Sequence, residues 1–443
     1  MLIEFSVENF RSIKEKVTLS LVSSSLKGLE NNLISRNVLI NKQKEKEIKL
    51  LSSVSIFGSN ASGKSNLIKA IKYALFCIVK SQSFSPNDIF PLEQFKLDEN
   101  YLEKPSSFEF KFLKDNIIYN YGFKVLGNKV IEEFLNYKPY GKTIEVFYRD
   151  LNRINLLPNK NKLSQEQEIR LKIYEEEISE NILILSLANK IKIPALKEAY
   201  LWFSKNITFV INRPGIGYKT TGLLSDNKID KEFFVNLFKF ADSTIQNLEL
   251  VETKIDVNEI PANFINGVVT EISRRSNLNI KDIKLENLQA KKIEEYTEKI
   301  GLDKNGNEKK VNFSISEESD GTQKYYGILG DIIDALANGS LIIIDELELR
   351  LHTNLTRMVV GLFSSPLNNK GAQLIFTTHN TNLLDTKRLL RRDQIYFTDK
   401  NSNGCTNLYS LIDFKVRNDK IIQKAYLEGI FGAIPYFNLE ELF

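Results

Sequence analysis

The sequence contains only two cysteines among its 443 residues, Cys77 and Cys405, and they lie far apart. This excludes a disulfide framework and a cysteine-based zinc site, and it is typical of a protein from a reducing cytoplasm. Glu4 lies where a secretory signal would be basic and then apolar, so we expect no signal sequence. No apolar run reaches membrane-spanning length, so we expect no membrane segment.

The chain also lacks a strong excess of charge of either sign. Its 60 basic and 56 acidic residues leave a net charge of only +4. This balance permits binding to nucleic acid but does not indicate it. A chain of 443 residues is too long for one compact core, so its length predicts two or three domains, or one domain with a large insertion.

One glycine-rich stretch matches the pattern G-x-x-x-x-G-K-[ST]. Residues 58–65 have the sequence Gly-Ser-Asn-Ala-Ser-Gly-Lys-Ser. A short buried strand is predicted before it at Val54–Phe57, and apolar residues recur at helical spacing after it, from Asn66 to Lys80. Strand, glycine loop and helix follow one another as a phosphate-binding loop requires.

This order predicts how the loop would bind a nucleotide. Its backbone N–H groups and the positive end of the following helix form a cradle for anions. We expect Lys64 to contact the β- and γ-phosphates of ATP and Ser65 to place its hydroxyl on Mg²⁺. The residues expected to contact ATP are Gly58, Ser59, Asn60, Ala61, Ser62, Gly63, Lys64, Ser65 and Asn66.

A second motif follows the apolar run Leu341–Ile344, which predicts a buried strand ending in Asp345 and Glu346. In α/β sheets, ligands bind at the carboxyl ends of the strands, where such acids emerge. We expect Asp345 to hold the metal through water. Glu346 is expected to orient and polarise the water that attacks the γ-phosphate.

The chain has only two histidines, and both follow the acid pair. A third predicted strand, Gln373–Thr377, ends just before His379, which places this side chain near the other two strand ends. We therefore expect His379 to sense the γ-phosphate. For His352 the sequence leaves a structural and a functional role equally open.

The rest of the chain indicates strands first and helices later. The polar stretch Asn31–Lys49 predicts an exposed, mobile loop. Four β-like runs with short connections predict an antiparallel meander: Phe108–Phe112, Ile117–Val125, Val130–Tyr137 and Thr143–Tyr148. Charged, helix-favouring stretches follow: Ser164–Ile178, Pro194–Ser204, Lys231–Ala241 and Glu286–Lys299. Between them, Ile207–Ile211 predicts one buried strand, closed by Asn212–Pro214.

The order of these motifs resembles the ABC-type ATPase heads of the SMC, RecF and OLD group. The matching stretches are Asn9-Phe10-Arg11, residues 58–66, Ser319 to Gly321, Asp345-Glu346 and His379. The similarity is closest to the stand-alone AbiL/RloA-like ATPases of abortive-infection and restriction-linked operons, and more distant to the AriA subunit of the PARIS system. The tail stretches 391–397, 411–417 and 426–435 also look like that subfamily.

The resemblance implies an α/β fold: a P-loop ABC-type ATPase head with an antiparallel β subdomain and a largely helical insertion. The N-terminal half of the head would span residues 1–150, the insertion 151–310 and the C-terminal half 311–443. Arg11 would join the ATP-binding residues. Glu346, His379 and Lys64 would be catalytic, and Ser65 and Asp345 would hold Mg²⁺.

In such heads two copies pair face to face, so the resemblance implies a dimer or higher oligomer of this chain. Ser319 and Gly321 would then complete the ATP site of the partner copy. Two features depart from the family pattern. Asp320 occupies a position where glycine often lies. The glutamine expected to link the two lobes is not assignable from the sequence, and Gln82 and Gln94 are both candidates for it. No Asp-x-Asp motif follows His379, so we expect the nuclease domain of OLD proteins to be absent.

We therefore expect a cytoplasmic, Mg²⁺-dependent ATPase whose assembly controls an effector protein encoded by an adjacent gene, in antiviral defence. Two other hypotheses stay open. A RecF-like DNA-repair ATPase would use the basic residues within 387–392, for which a solvated helix surface is the simpler interpretation. A scaffold that binds ATP but hydrolyses it slowly, holding a toxin inactive, is favoured by Asp320.

Overall fold

The protein is described here by a computed structural model that covers residues 1–41, 44–156, 165–210, 217–255, 290–417 and 420–434. The chain forms two compact units. The first consists of Met1–Asn212 together with Asp331–Phe443, and the second of Arg213–Gly330. Strands and helices are numbered in chain order. Among the helices in these ranges, none combines the length and the apolarity needed to cross a lipid bilayer.

A six-stranded sheet forms the centre of the first unit. In spatial order its strands are β11 (Ile207–Val210), β15 (Leu341–Ile344), β16 (Gln373–Thr377), β5 (Ser53–Gly58), β17 (Ile395–Lys400) and β18 (Thr406–Ser410). All neighbours pair in parallel except β17 and β18. Strands β5, β15 and β16 are buried along their whole length, as expected for parallel strands covered on both faces. Their carboxyl ends therefore lie side by side.

A seven-stranded antiparallel sheet forms the second layer of this unit. In spatial order its strands are β10 (Arg153–Leu156), β9 (Ile144–Asp150), β8 (Lys129–Lys138), β7 (Ile117–Leu126), β6 (Ser106–Lys114), β1 (Leu2–Glu8) and β2 (Val17–Ser20). Strands β6 to β9 pair consecutively, which confirms the predicted meander. Alternate residues of β6, including Phe108, Phe110 and Phe112, are buried because a strand presents every second side chain to one face.

Helices cover the apolar faces of these sheets. The helices of the first unit are α1 (Lys64–Lys80), α2 (Gln165–Glu177), α3 (Pro194–Lys205), α7 (Thr353–Leu362) and α8 (Ile422–Leu427). Trp202 of α3 stacks on Phe112 of β6 with 4.1 Å between the ring centroids, so α3 packs against the buried face of the meander. Residues 151–210, which the sequence analysis gave to the insertion, contribute β10, α2, α3 and β11 to this unit.

The stretch Asn31–Lys49 is not the loop that the sequence predicted. It forms most of a hairpin of β3 (Leu33–Asn41) and β4 (Lys44–Leu51). Ile34, Val38 and Leu50 are buried, so the hairpin has an apolar side despite its charges. The prediction failed because lysine and asparagine dominated the composition, whereas three spaced apolar residues and cross-strand pairing determine the structure.

The second unit combines helices with a small antiparallel sheet. Its helices are α4 (Tyr218–Ser225), α5 (Lys231–Phe238) and the start of α6 (Asp320–Asn338), and its sheet has the order β12 (Ile245–Ile255), β13 (Ala290–Leu302) and β14 (Glu308–Ser314). The predicted helix over 286–299 is wrong from Ala290 onward. Helix propensity is a weak preference, and pairing along β12, with ion pairs such as Lys291–Glu252 (2.7 Å), overrides it. Residues 286–289 and 212–214 lie outside the described part of the chain.

Candidate functional site

The glycine loop joins the end of β5 to the start of α1. Gly63 has φ +111°, a value that side-chain-bearing residues avoid, and a Cβ there would lie 2.8 Å from the Cβ of Thr406. Ala61 also has a positive φ of 61°. The chain can therefore curl tightly around the start of α1, where unpaired N–H groups form an anion site.

Lys64 is folded into this loop. Its Nζ donates to the carbonyl oxygens of Gly58 at 2.8 Å and Ser59 at 2.9 Å, and the residue is only 5% exposed. Burial lowers the pKa of Lys64 to about 8, and the carboxylates of Glu348 and Glu346 oppose this shift. A buried ammonium whose hydrogen bonds go to two neutral carbonyls is suited to an anionic ligand, because the ligand would supply negative charge in direct contact with it.

The predicted metal ligands lie together. Ser65 Oγ donates to Asp345 Oδ1 at 3.1 Å, and Thr377 Oγ1 donates to the same oxygen at 2.6 Å. Hydroxyl and carboxylate oxygens are the donors that Mg²⁺ prefers, and Mg²⁺ usually completes its shell with phosphate and water. Over the described ranges, no group of three or more His, Cys, Asp or Glu side chains could hold a metal by itself. The donor set fits a Mg²⁺ ion that arrives with a nucleotide.

Glu346 begins a tight turn after β15. Its φ is +52°, and its N–H donates to Thr377 Oγ1 at 2.7 Å. The next residue, Leu347, donates its N–H to Thr377 O at 3.1 Å. A left-handed residue costs about 1 kcal/mol or more, so the surrounding hydrogen bonds must hold it in place. This acid turn, residues 345–348, is thereby fastened to the end of β16.

His379 follows β16 and meets the acid turn. Its backbone N–H donates to Glu348 Oε1 at 2.6 Å. Partial burial and the charge of Lys64 lower the pKa of His379, although Glu348 and Glu346 oppose the shift. The neutral imidazole is therefore favoured more than in a free histidine, and the ring lies within the electrostatic field of the same lysine and acids. The structure brings His379, Lys64, Asp345 and Glu346 to one edge of the sheet.

The second histidine has a structural role. His352 is the N-cap of α7, and its Nδ1 accepts the N–H of Asn354 at 3.2 Å. Such a cap satisfies one of the unpaired N–H groups at a helix start. Of the two roles left open by the sequence, the geometry favours the structural one.

The turn formed by Asn9–Ser12, called the Arg11 turn below, lies beside the start of α1. Ser12 Oγ accepts from Asn66 Nδ2 at 2.6 Å, which joins the turn to the residue after the glycine loop. Arg11 itself has φ +52° and forms an ion pair with Glu93 at 2.5 Å. In this structure the guanidinium therefore binds Glu93, and a contact with ATP would require it to leave that carboxylate.

The position of α1 separates the two glutamine candidates. Gln82 follows the far end of this 17-residue helix, about 25 Å from the glycine loop at 1.5 Å per residue. Gln94 follows Glu93, and its Nε2 donates to the carbonyl oxygens of Leu102 at 2.9 Å and Lys104 at 2.7 Å. Only Gln94 lies near the Arg11 turn, so it is the better candidate for the linking glutamine.

Two threonines that the sequence analysis missed support the glycine loop. Thr398 Oγ1 forms a hydrogen bond with Ser62 Oγ at 2.7 Å, and Thr406 Oγ1 donates to Ser62 O at 3.0 Å. They belong to β17 and β18, more than 330 residues later in the chain. Nothing in their local sequence distinguishes them from ordinary strand residues.

Ser319 and Gly321 lie in the second unit. Ser319 Oγ accepts the N–H of Thr322 at 3.2 Å, so Ser319 caps the start of α6. Ser319 and Asp320 are exposed, and Gly321 is half-buried in the first turn. The exposed start of a 19-residue helix can present N–H groups to an anion.

The basic cluster within 387–392 does not lie on an α-helix. Lys387 and Arg388 are exposed in a turn, whereas Arg391 and Arg392 are bonded to other segments of the chain. Arg391 is 3% exposed, forms an ion pair with Asp393 at 3.0 Å and donates to the carbonyl oxygens of Leu26 and Gly28. Arg392 donates to Val416 O at 2.8 Å. These two arginines fasten chain segments together, which weakens their case as a nucleic-acid surface.

Comparison with known proteins gives one family and several distant structures. The sequence model of the family described as "AAA domain, putative AbiEii toxin, Type IV TA system" matches residues 53–385, most of the chain. No curated protein matches the sequence.

Among solved structures, an SMC head bound to the C-terminal winged-helix domain of ScpA is 14% identical, with a TM-score of 0.40, and the match covers 92% of this chain and 97% of that one. The SMC head domain from Thermotoga maritima is 12% identical, with a TM-score of 0.38 and coverage of 92% and 98%. The recombination mediator RecF is 15% identical, with a TM-score of 0.34 and the same coverage. Such values are too low for a function to be transferred.

Proposed function

The chain belongs to the AAA-domain family of AbiEii-like ATPases, and we propose that it binds Mg²⁺-ATP at the glycine loop and hydrolyses it to ADP and phosphate. The observation that carries this proposal is the hydrogen bond between Ser65 and Asp345, which joins the two halves of the motif across 280 residues. If the two motifs matched their patterns by chance, the fold would have no reason to place Ser65 and Asp345 where both could bind one metal ion.

The roles of the side chains follow from this geometry. Lys64 exchanges its loop carbonyls for the β- and γ-phosphates, whose negative charge stabilises the ammonium. Ser65 and Asp345 would hold Mg²⁺, and the ion would supply positive charge next to those phosphates. Glu346 accepts a proton from the attacking water, and neutral His379 donates a hydrogen bond to the γ-phosphate.

We further propose that hydrolysis needs two copies of the chain. The exposed start of α6, with Ser319 and Gly321, is available to a second molecule and suits a γ-phosphate held there. Asp320 would lie beside the same phosphate, and its negative charge would slow turnover. The family description supports a role in abortive infection. We propose that in this role ATP-driven pairing regulates a separately encoded effector protein in the cytoplasm.

The first experiment measures phosphate release from ATP by the full chain with and without Mg²⁺. We expect Lys64→Ala to lower turnover at least about 100-fold and to weaken ATP binding, because it removes the buried cation of the cradle. Glu346→Gln should retain ATP binding but lower turnover by about 100-fold or more, as for loss of a general base. Lys69→Ala, an exposed lysine on the same helix, is the matched control.

Two results would contradict the proposal: turnover by Lys64→Ala equal to that of the parent chain, or turnover that does not depend on Mg²⁺. If the parent chain binds ATP but turns over no faster than Glu346→Gln, the scaffold hypothesis is favoured instead. DNA-stimulated turnover that falls steeply with salt would favour the RecF-like hypothesis.

A further inference from the structure

Glu348 is the one carboxylate of the acid turn to which the proposed mechanism gives no role. Its Oε1 accepts the N–H of His379 at 2.6 Å. Its Oε2 is buried and has no hydrogen-bond partner among the described residues. Leaving a carboxylate oxygen buried and unpaired costs free energy. An uncharged residue would avoid this cost, so the position calls for an explanation beyond packing.

The backbone around Glu348 is held rigidly. Leu349 N donates to Glu346 O at 3.0 Å, and Leu351 N donates to Glu348 O at 2.9 Å. Leu347 N is already bonded to Thr377 O. The base of the Glu348 side chain is therefore fixed relative to β15 and β16, and a rigid base allows its carboxylate to hold the segment after β16.

The charge of Glu348 also reaches the nucleotide site. Among the three carboxylates that oppose the lowered pKa values of Lys64 and His379, Glu348 has the largest effect, ahead of Glu346 and Asp345. The negative charge of Glu348 therefore acts on both groups.

We propose that Glu348 is a positioning residue. Its carboxylate binds the backbone N–H of His379 and so fixes the segment after β16 to the acid turn. The side chains of His379 and Glu346 are then held in position to approach the γ-phosphate together. The inference rests on the proposed ATPase function. In this proposal the effect of Glu348 on the reaction passes through His379, whose backbone N–H it binds. Positioning of this kind matters because a displacement of about 1 Å at a reacting group can cost about 100-fold in rate.

The test is a double-mutant cycle on the full chain, with kcat and KM for Mg²⁺-ATP measured for Glu348→Ala, His379→Ala and the double variant. We expect Glu348→Ala to lower kcat about 10- to 100-fold and to change KM less than about threefold. In the His379→Ala background the same change should lower kcat less than about twofold, because the group through which it acts is already missing.

Further variants separate positioning from folding. Glu348→Gln keeps an oxygen that can accept the His379 backbone N–H, so its kcat should exceed that of Glu348→Ala. Glu348→Leu, which fills the space but has no acceptor, replaces Glu348→Ala in the cycle if that variant does not fold. Glu175→Ala is the matched control, since Glu175 is also half-buried and accepts a backbone N–H, from Leu156 at 2.8 Å, but lies in α2. Its kcat should equal that of the parent.

The outcomes distinguish this inference from the proposed function. A parent chain with no Mg²⁺-dependent turnover would overturn both. Turnover by the parent with an unchanged kcat in Glu348→Ala would overturn the role of Glu348 alone. So would single effects that multiply in the double variant, since they would show that Glu348 acts independently of His379.

Discussion

At the scale of single residues, the site is built around Lys64, whose charge depends on pH within the range near neutrality. Lys64 is buried with two carbonyl oxygens as its partners, and its pKa is lowered to about 8. Bound phosphates would stabilise the charged form and raise this pKa. ATP binding at alkaline pH must therefore take up a proton.

This linkage predicts the pH dependence of ATP affinity. Between pH 7.5 and 9 the ATP itself keeps its charge while the unliganded Lys64 loses its own, so the affinity should fall about fivefold to tenfold. Titration calorimetry in two buffers of different ionisation enthalpy would detect the proton uptake. In Lys64→Arg the side chain stays charged throughout, so that variant, whatever its affinity, should show no step near pH 8. A parent affinity that is constant from pH 7.5 to 9 would contradict the assignment.

Thr406 gives a second prediction at this scale. Its hydroxyl donates to Ser62 O and pairs with Ser12 Oγ at 2.7 Å, so it braces the loop against the Arg11 turn. Thr406→Val keeps the shape but removes both bonds, and ATP affinity should fall about fivefold, or about 1 kcal/mol. Asn407→Ser, on the same strand but exposed, should bind ATP like the parent. Equal affinities in all three proteins would show that the brace has no effect on binding.

The residues of this site differ in how far the sequence predicts them. Gly58 and Lys64 are predicted by the fixed spacing of the phosphate-loop pattern, and Asp345 by its place at the end of a buried strand. Backbone and metal geometry require those residue types at these positions. Thr398, Thr406 and Glu348 act through contacts between segments distant in sequence, and any of several polar residues could serve there. Such contacts are visible only after the strands have been assembled.

At the scale of elements, a buried glutamine joins the two sheets of the first unit. Gln373 begins β16, and its side chain accepts from Leu2 N at 2.7 Å and donates to Leu2 O at 3.0 Å and Leu51 O at 3.2 Å. β1 belongs to the antiparallel sheet and β16 to the parallel sheet. The amide thus satisfies backbone groups where the two sheets meet.

Gln373→Met removes the amide but keeps a side chain of similar volume. It should therefore lower the free energy of unfolding of the first unit through the lost hydrogen bonds alone. Three backbone groups would lose their partner, at a combined cost of about 3 kcal/mol. For a chain of this size we expect the thermal unfolding midpoint to fall by about 5 °C. Gln246→Met, an exposed glutamine on β12, is the control and should leave the midpoint unchanged. A midpoint equal to that of the parent would mean that water or a shift of the strands replaces the amide.

Prediction of elements succeeded where the pattern was strong. The buried strands before Asp345 and His379 and the β6 to β9 meander have apolar runs or alternation that fit one structure only. The hairpin of β3 and β4 and strand β13 were missed. Their charged residues favour loops or helices locally, but their structure depends on pairing with a neighbouring strand, which a local pattern does not show.

At the scale of the whole molecule, the family match confirms the ATPase family that the motifs indicated. The chain divides at residues 212/213 and 330/331, whereas the sequence suggested boundaries near 151 and 310. The difference arises because β11 pairs with β15 and α3 packs on the meander, so these two elements belong to the first unit. The second boundary falls inside α6, a continuous helix whose first residue is Asp320.

Pairing of two copies predicts the behaviour of the hydrolysis-deficient chain. Glu346→Gln should bind Mg²⁺-ATP without cleaving it and should therefore accumulate as a pair, seen as a doubled mass in light scattering. Glu346→Gln combined with Ser319→Arg should remain single, because a bulky side chain would block the start of α6. A Glu346→Gln chain that stays single at saturating ATP would contradict pairing, even if ATP hydrolysis is confirmed for the parent.

The most direct test of the central claim, that the glycine loop and acid pair form half of a site completed by a second copy, is the turnover per subunit as a function of protein concentration. The account predicts that turnover per subunit rises with concentration and then levels off at the concentration where pairs form. A turnover per subunit that is the same at every concentration, from well below to well above that point, would contradict it.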